Sequence, residues 1–169
     1  MSHVQRLRTS DRIFFITVNL RRGATPLTGG EYALGVGALA ASRRKLHFLL
    51  SGFVVMPDQG HALIWTSSAV TISRVVQDIQ WLSARALNHA RSTAGWVWQQ
   101  QFWDRFVRQA KEFNERLVYR HLNPVRKGLV KQPEAWRWSS YNNFALDKER
   151  VAACPLQIDS APLLESYRA

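Results

Sequence analysis

Val55-Met56-Pro57-Asp58-Gln59-Gly60-His61-Ala62-Leu63-Ile64 is the stretch whose reading decides the fold. The apolar, β-branched and aromatic runs 46–56 and 61–66 flank Pro57-Asp58-Gln59-Gly60. That tetrapeptide is a turn signal, because proline pre-sets φ, aspartate bonds its own backbone and glycine takes conformations closed to other residues. Two strand-like runs around such a turn predict an antiparallel hairpin. Side chains alternate along a strand, so Gln59 and His61 project one way while Gly60 and Ala62 project the other. Two polar groups so spaced reach one metal ion or one phosphate. An ordinary strand histidine at the edge of an apolar run has the same pattern and no ligand.

Outward from the hairpin the elements follow in order. Residues 12–20 alternate large apolar and polar side chains and read as a strand, and 21–30 form a Gly/Pro/Thr loop. Residues 31–45 are Ala-rich, with Leu34, Ala38 and Ala41 at helical spacing despite Gly35 and Gly37. In 71–91, Ile72, Val75, Val76, Ile79, Leu82, Ala86 and Leu87 recur at three- and four-residue steps, the mark of a long amphipathic helix. Residues 96–108 read as an aromatic strand and 111–122 as a third helix, stopped at Asn123-Pro124. Strand, helix, strand, strand, helix, strand, helix predicts an α+β, ferredoxin-like four-stranded antiparallel sheet with two packed helices plus an added C-terminal helix. The expected division is a domain over 1–145 and a C-terminal tail over 146–169, where Pro155, Pro162 and the lack of a sustained period suggest loose packing or capping.

Composition bounds the function. The 169 residues are 46% hydrophobic, enough for a real core, which excludes a disordered basic tail. The most apolar run, 46–56, is interrupted by His47, Ser51 and Gly52 and is far shorter than the roughly 20 residues a membrane helix needs. No secretory signal follows the N-terminal arginines, so the expected location is cytoplasmic. The single cysteine, Cys154, cannot make an internal disulfide or a Cys-rich metal knuckle. A net charge of +11 points to a polyanion. Residues 1–138 carry 20 of the 23 Lys and Arg against 8 of the 12 Asp and Glu, so the positive field belongs to the folded part.

On the last helix, Phe113, Leu117, Val118, His121 and Leu122 form one apolar stripe on a helical wheel. Tyr119 and Asn123, at i and i+4, fall together on the opposite side with Arg116. A tyrosine so held can attack a phosphate that a metal or a nearby cation polarises. A solvated helix face with an amphipathic Tyr is the bland alternative, and Asn123 can equally be a stop residue before Pro124.

Together these segments resemble a known family. Residues 56–64, then Trp98 with Phe102-Trp103-Asp104-Arg105, then Tyr119-Arg120-His121-Leu122-Asn123-Pro124-Val125-Arg126-Lys127-Gly128-Leu129-Val130, and finally Trp138-Ser139-Ser140-Tyr141, are similar to the REP-associated tyrosine transposases, within the single-tyrosine HUH transposases. The resemblance runs from about residue 13 to 141, and its most specific part is Tyr-x-x-x-Asn-Pro-Val-x-x-Gly-Leu-Val. In that family the hairpin reads Met-Pro-Asn-His-hydrophobic-His, its two histidines bind a divalent ion, and a tyrosine on the last helix attacks single-stranded DNA. The resemblance therefore implies that Tyr119 is the nucleophile, that His61 is the second histidine, and that Asn123, at nucleophile plus four, is a third metal ligand. Gln59 stands where the first histidine belongs, and Gly60 replaces the hydrophobic anchor. A Gln offers a neutral oxygen, a weaker ligand for Mn or Zn than imidazole but acceptable to Mg. The implied cofactor is a weakly bound divalent metal, Mg before Mn, on Gln59, His61 and Asn123 with Asp58 as a spare carboxylate.

The implied partner is single-stranded, hairpin-forming DNA. Arg105, Arg108, Lys111, Arg116, Arg120, Arg126, Lys127, Lys131 and Arg137 are interleaved with Trp96, Trp98, Phe102, Trp103, Trp136 and Trp138. Cations track a phosphate backbone and exposed rings stack unpaired bases, each stack contributing about 1–3 kcal/mol. Most of these rings are expected in the core, with one or two meeting bases. The N-terminal Arg6, Arg8 and Arg12 extend the basic surface. No nucleotide-binding loop is visible, and none is needed, since a phosphotyrosine conserves the bond energy. The leading expectation is a hairpin-DNA transposase that cleaves and rejoins through a 5′-phosphotyrosine, working as a monomer or a homodimer. The alternatives are a catalytically impaired hairpin-DNA-binding protein, with Gln59 as the lesion, and an RNA-binding ferredoxin-like module.

Overall fold

A computed structural model describes residues 12–67 and 69–159. Four strands, β1 (Arg12–Asn19), β2 (Leu49–Val55), β3 (Gln59–Thr66) and β4 (Trp103–Val107), form one sheet in the order β2-β3-β1-β4. Every pairing is antiparallel. With α1 (Glu31–Leu46) after β1 and α2 (Ile72–Arg91) after β3, this is the ferredoxin-like arrangement that the hairpin implied. The turn is closed by Met56 N–H donating to the Gln59 carbonyl at 2.8 Å.

Alternation on β1 and β3 divides the interior in two. Ile16, Val18, Ala62 and Ile64 face α1 and α2, where Val36, Leu39, Val75, Val76 and Leu87 complete the larger core. Ile13, Phe15, Leu63 and Trp65 face the other way, onto Phe113 and Leu117 of α3 (Ala110–His121). Burial of these apolar faces holds both layers in place. The side chain of Thr71 begins α2 as its N-cap, its hydroxyl accepting from Arg74 N–H at 3.2 Å. No helix among the described residues is long and apolar enough to cross a membrane.

Two expectations are corrected. Residues 96–108 are not one strand: Trp98 makes a single bridge to Leu20, and only Trp103–Val107 joins the sheet. The run Gln99-Gln100-Gln101 lacks the apolar alternation that would hold a strand on a core. The uniform wheel through residue 123 also fails. Val118 is 58% exposed and Asn123 only 7%, the reverse of the expected faces. α3 ends at His121, and Asn123 opens a separate turn, α4 (Asn123–Arg126), whose Pro124 has no N–H for a continuous ladder.

Beyond α4 the chain returns to the outer edge of β2. Trp138 O accepts from Val55 N–H at 2.8 Å, Ser140 N–H donates to Phe53 O at 2.9 Å, and Trp136 Nε1 donates to Val55 O at 2.9 Å. After α5 (Lys148–Ala152), Leu156 and Ile158 pack on the larger core. The Asp159 carboxylate accepts from Leu50 N–H at 2.8 Å and from Arg43 Nη2 at 2.5 Å. The backbone groups of the β2 edge are thereby paired with this chain's own segments, which blocks edge-to-edge association there.

Candidate active site and nucleic-acid interface

The face of the sheet beneath α3 carries His61, the histidine of the hairpin. His61 on β3 lies opposite Thr17 of β1, and Thr17 Oγ1 sits 2.9 Å from His61 Nδ1. The imidazole stacks on Phe15 at 5.8 Å with 21° between the rings. It is 4% exposed, and its Nε2 has no hydrogen-bond partner. Burial first, then the positive charges of Arg120 and Lys127, lower its pKa to about 3. The ring is therefore neutral near pH 7. When Nδ1–H donates to Thr17, Nε2 presents a bare lone pair.

The tyrosine helix lies across this face. Tyr119 is 51% exposed, and two guanidinium groups approach its ring, Arg126 at 4.0 Å and Arg120 at 5.2 Å. Arg126 comes from α4, with its Nη1 donating to Tyr119 O at 3.5 Å. Arg120 also covers Phe15 at 4.7 Å, which places it beside His61. Lys127 Nζ donates to both carboxylate oxygens of Asp58 at 2.8 Å. This ion pair ties the chain just after α4 to the β2–β3 turn that leads into Gln59. Trp103, 49% exposed, stands opposite Thr17 on β4 and meets Phe15 edge-on at 6.3 Å.

The other expected site residues are distributed as follows. Asn123 is buried at the start of α4, and Gln59 is half-buried opposite Asn19. Arg105 and Arg116 both pair with Glu112, at 3.2 and 3.0 Å, so part of that charge is neutralised within the fold. Arg12 and Arg108 lie over Phe106 at 5.9 and 5.8 Å on the outer strand. Arg6 and Arg8 lie outside the described residues. Of the tryptophans, Trp65, Trp98 and Trp136 are buried, whereas Trp81, Trp96 and Trp103 are exposed. Thr17 and Phe15, which set the orientation and surroundings of His61, escaped the sequence reading, since only the β1–β3 register reveals them.

The donors suit a hard, oxygen-seeking ion better than a soft one. Among the described residues no group of three or more His, Cys, Asp and Glu side chains is placed to hold a metal. His61 Nε2 is without a hydrogen-bond partner, and Gln59 lies on the same face of β3. Asp58, the expected spare carboxylate, is engaged by Lys127. Cations stand beside each group, Arg126 and Arg120 over the Tyr119 ring and Arg120 and Lys127 near His61, which makes this side of the molecule electropositive.

The four-stranded antiparallel sheet with its packed helices defines a ferredoxin-like class, and comparison with known proteins agrees on that fold. Residues 38–110 match the transposase IS200-like family. Over a longer stretch the chain is similar to REP-associated tyrosine transposases. It is 28% identical over 144 residues to the REP-associated tyrosine transposase of Escherichia coli K12, covering 84% of each chain. A solved REP-associated tyrosine transposase bound to a REP hairpin superposes with a TM-score of 0.69 at 26% identity, over 95% of this chain and 92% of that one. A putative transposase from Deinococcus radiodurans shares the fold alone, with a TM-score of 0.53 at 15% identity over 70% of this chain and 96% of that one.

Proposed function

We propose that the chain is a hairpin-DNA transposase that acts in the cytoplasm on single-stranded DNA. The observation that carries this reading is the exposed Tyr119, flanked by Arg126 and Arg120, on the helix that packs over the His61 face of the sheet, with Arg120 also beside His61. Arg120, Arg126 and Lys127 draw in the scissile phosphate, while Arg105, Arg108, Arg116 and Arg12, with Arg6 and Arg8, extend the contact along the backbone. Tyr119 Oη attacks phosphorus, the P–O3′ bond breaks, the phenolic proton is released, and the departing oxygen takes up a proton to become a free 3′-OH. The product is a 5′-phosphotyrosine, which a 3′-OH later attacks to rejoin strands and release the phenol. Gln59, His61 and Asn123 would hold a divalent ion, Mg before Mn, which when bound polarises the phosphate and offsets transition-state charge. Thr17 orients His61 for that role.

A second reading is favoured by the neutral donor set, in which Gln59 replaces an imidazole. It describes a hairpin-binding protein with impaired cleavage. Incubating the protein with fluorescent hairpin DNA and Mg or Mn, then resolving it on a denaturing gel, separates the two. A covalent adduct in the parent chain, absent in Tyr119→Phe, supports the transposase. An adduct only in Gln59→His supports the impaired binder. An adduct that persists in Tyr119→Phe refutes the nucleophile, and a preference for double-stranded RNA refutes both readings.

A further inference from the structure

A second aromatic surface lies across the sheet from Tyr119. α2 and the segment 95–100 line an open cleft. Two of its rings, Trp81 and Trp96, are 57% and 69% exposed. Neither fills a core, in contrast to Trp98 in the same cleft, which is buried with its Nε1 donating to Ser83 Oγ at 2.8 Å. The Arg85 guanidinium lies over Trp81 at 5.4 Å, and Arg74 lines the cleft from the first turn of α2. Lys45 and Asp78, also in the lining, are paired with each other, so the arginines leave the surface positive.

The platform is held in advance of any ligand. Arg21 Nε donates to Trp96 O at 3.1 Å, Asn88 Nδ2 to Gly95 O at 2.9 Å, and Gln80 Nε2 to Gln99 O at 3.1 Å. Preorganised rings lose little conformational freedom on binding. The segment also reaches the end of the sheet at the β2–β3 turn. Trp98 bridges to Leu20, Gln99 N–H donates to Asn19 O at 2.9 Å, and Leu20 N–H donates to Asp58 O at 2.9 Å. Trp96, Gln99 and Gln100 are therefore at the same end of the sheet as Gln59 and the Asp58–Lys127 pair. From there the chain continues to Trp103 beside Thr17 and His61.

We infer that this cleft is a second DNA-contact site, which takes the unpaired strand adjoining the hairpin by stacking its bases on Trp81 and Trp96 and setting its phosphates on Arg74 and Arg85. Rings bordered by guanidinium groups, and joined to a phosphate-binding face around one sheet end, match single-stranded DNA rather than an apolar protein surface. The inference rests on the proposed hairpin-DNA reading of the tyrosine face.

The test compares a bare hairpin with the same hairpin carrying a ten-thymidine extension on its 5′ or 3′ side, at one fixed salt concentration. The parent chain should bind one extended form more tightly, on the order of tenfold for each stacked base. Trp81→Ala/Trp96→Ala should lose that gain and keep the bare-hairpin affinity, and Arg74→Ala/Arg85→Ala should lose part of it with a shallower salt dependence. Circular dichroism checks that these exposed-surface variants remain folded. If the bare hairpin is bound but neither extension adds affinity, or the gain survives in Trp81→Ala/Trp96→Ala, the inference is overturned. If sedimentation shows a dimer that the tryptophan variant dissociates while the gain persists, the face is a contact between copies and the inference again fails. Failure to bind any hairpin would instead overturn the proposed function.

Discussion

Replacing Gly52 with alanine tests how the tyrosine helix is seated. A Cβ at this position would stand 2.5 Å from Leu117 Cδ1, with Ser140 Oγ at 3.5 Å and Leu63 Cδ1 at 3.6 Å. Carbon atoms pack at about 3.5–4.0 Å, so Leu117 must retreat by roughly 1 Å. Leu117, two residues before Tyr119 on α3, is 8% exposed and packs in the smaller core with Phe113. Overpacking of this kind costs about 1–3 kcal/mol, and replacing a strand glycine returns about 0.5–1 kcal/mol. The net expectation for Gly52→Ala is a loss of about 1–2 kcal/mol, a fall in Tm of about 2–8 °C for a chain of this length. Urea unfolding measures the stability, and a cycle with Leu117→Ala identifies the cause. Leu117→Ala alone should cost about 2–5 kcal/mol. In the double variant the new methyl enters the vacated space, so the combined loss should fall short of the sum by about 1 kcal/mol or more. Losses additive within about 0.5 kcal/mol would refute the claim that Leu117 keeps position 52 small.

The remaining predictions follow from burial and charge. His61 and His121 are held neutral by burial, with pKa values lowered to about 3 and about 4. The unfolded chain, with histidines near 6.5, binds more protons than the folded one below that pH, so their contribution is present above 6.5 and lost as pH falls. From pH 7.5 to 5.0 each should cost about 2 kcal/mol, since one pH unit corresponds to about 1.4 kcal/mol. Urea midpoints that stay flat over that window would contradict this, and Glu31, lowered to about 2 chiefly by its bond to Arg91, does not titrate there. Gly60→Ala should raise stability by about 0.5–1 kcal/mol, because a Cβ there meets only Val18 Cγ2 at 3.3 Å and the Val54 carbonyl at 3.9 Å, beside a cavity lined by Ile16, Val18 and Leu39. A fall in Tm would mean that Val18 cannot yield. Lys127→Ala removes an ion pair whose side chains are 38% and 54% exposed, so its stability cost should stay below about 1 kcal/mol. Its hairpin affinity should nevertheless drop, and the slope of log K against log salt should shrink by about one; an unchanged slope would remove Lys127 from the phosphate contacts.

Features specified within a few residues were legible, and those requiring distant pairing were not. The hairpin around Pro57-Asp58-Gln59-Gly60 is written in turn chemistry and β-branched runs, so its sheet and the facing of Gln59 with His61 followed from neighbours alone. The partner of His61 is Thr17, 44 residues away, and only the strand register names it. Lys127 and Asp58 are 69 residues apart, so a basic residue read as one more phosphate contact proves also to fasten α4 to the hairpin turn. Asn123 shows how a local rule fails. A wheel assumes one unbroken helix, whereas the Asn123-Pro124 stop turns the amide inward and leaves Tyr119 outside. The tryptophans mark the same boundary, because Trp98 and Trp96 are alike in sequence neighbourhood yet one is buried against Ser83 and the other is exposed. Whether a ring packs or projects depends on what the fold brings over it. The same dependence governs the site. At position 61 the identity of the side chain was readable at once, but the charge beside it comes from Arg120 and Lys127, on a helix and a turn that meet the hairpin only after the sheet has closed.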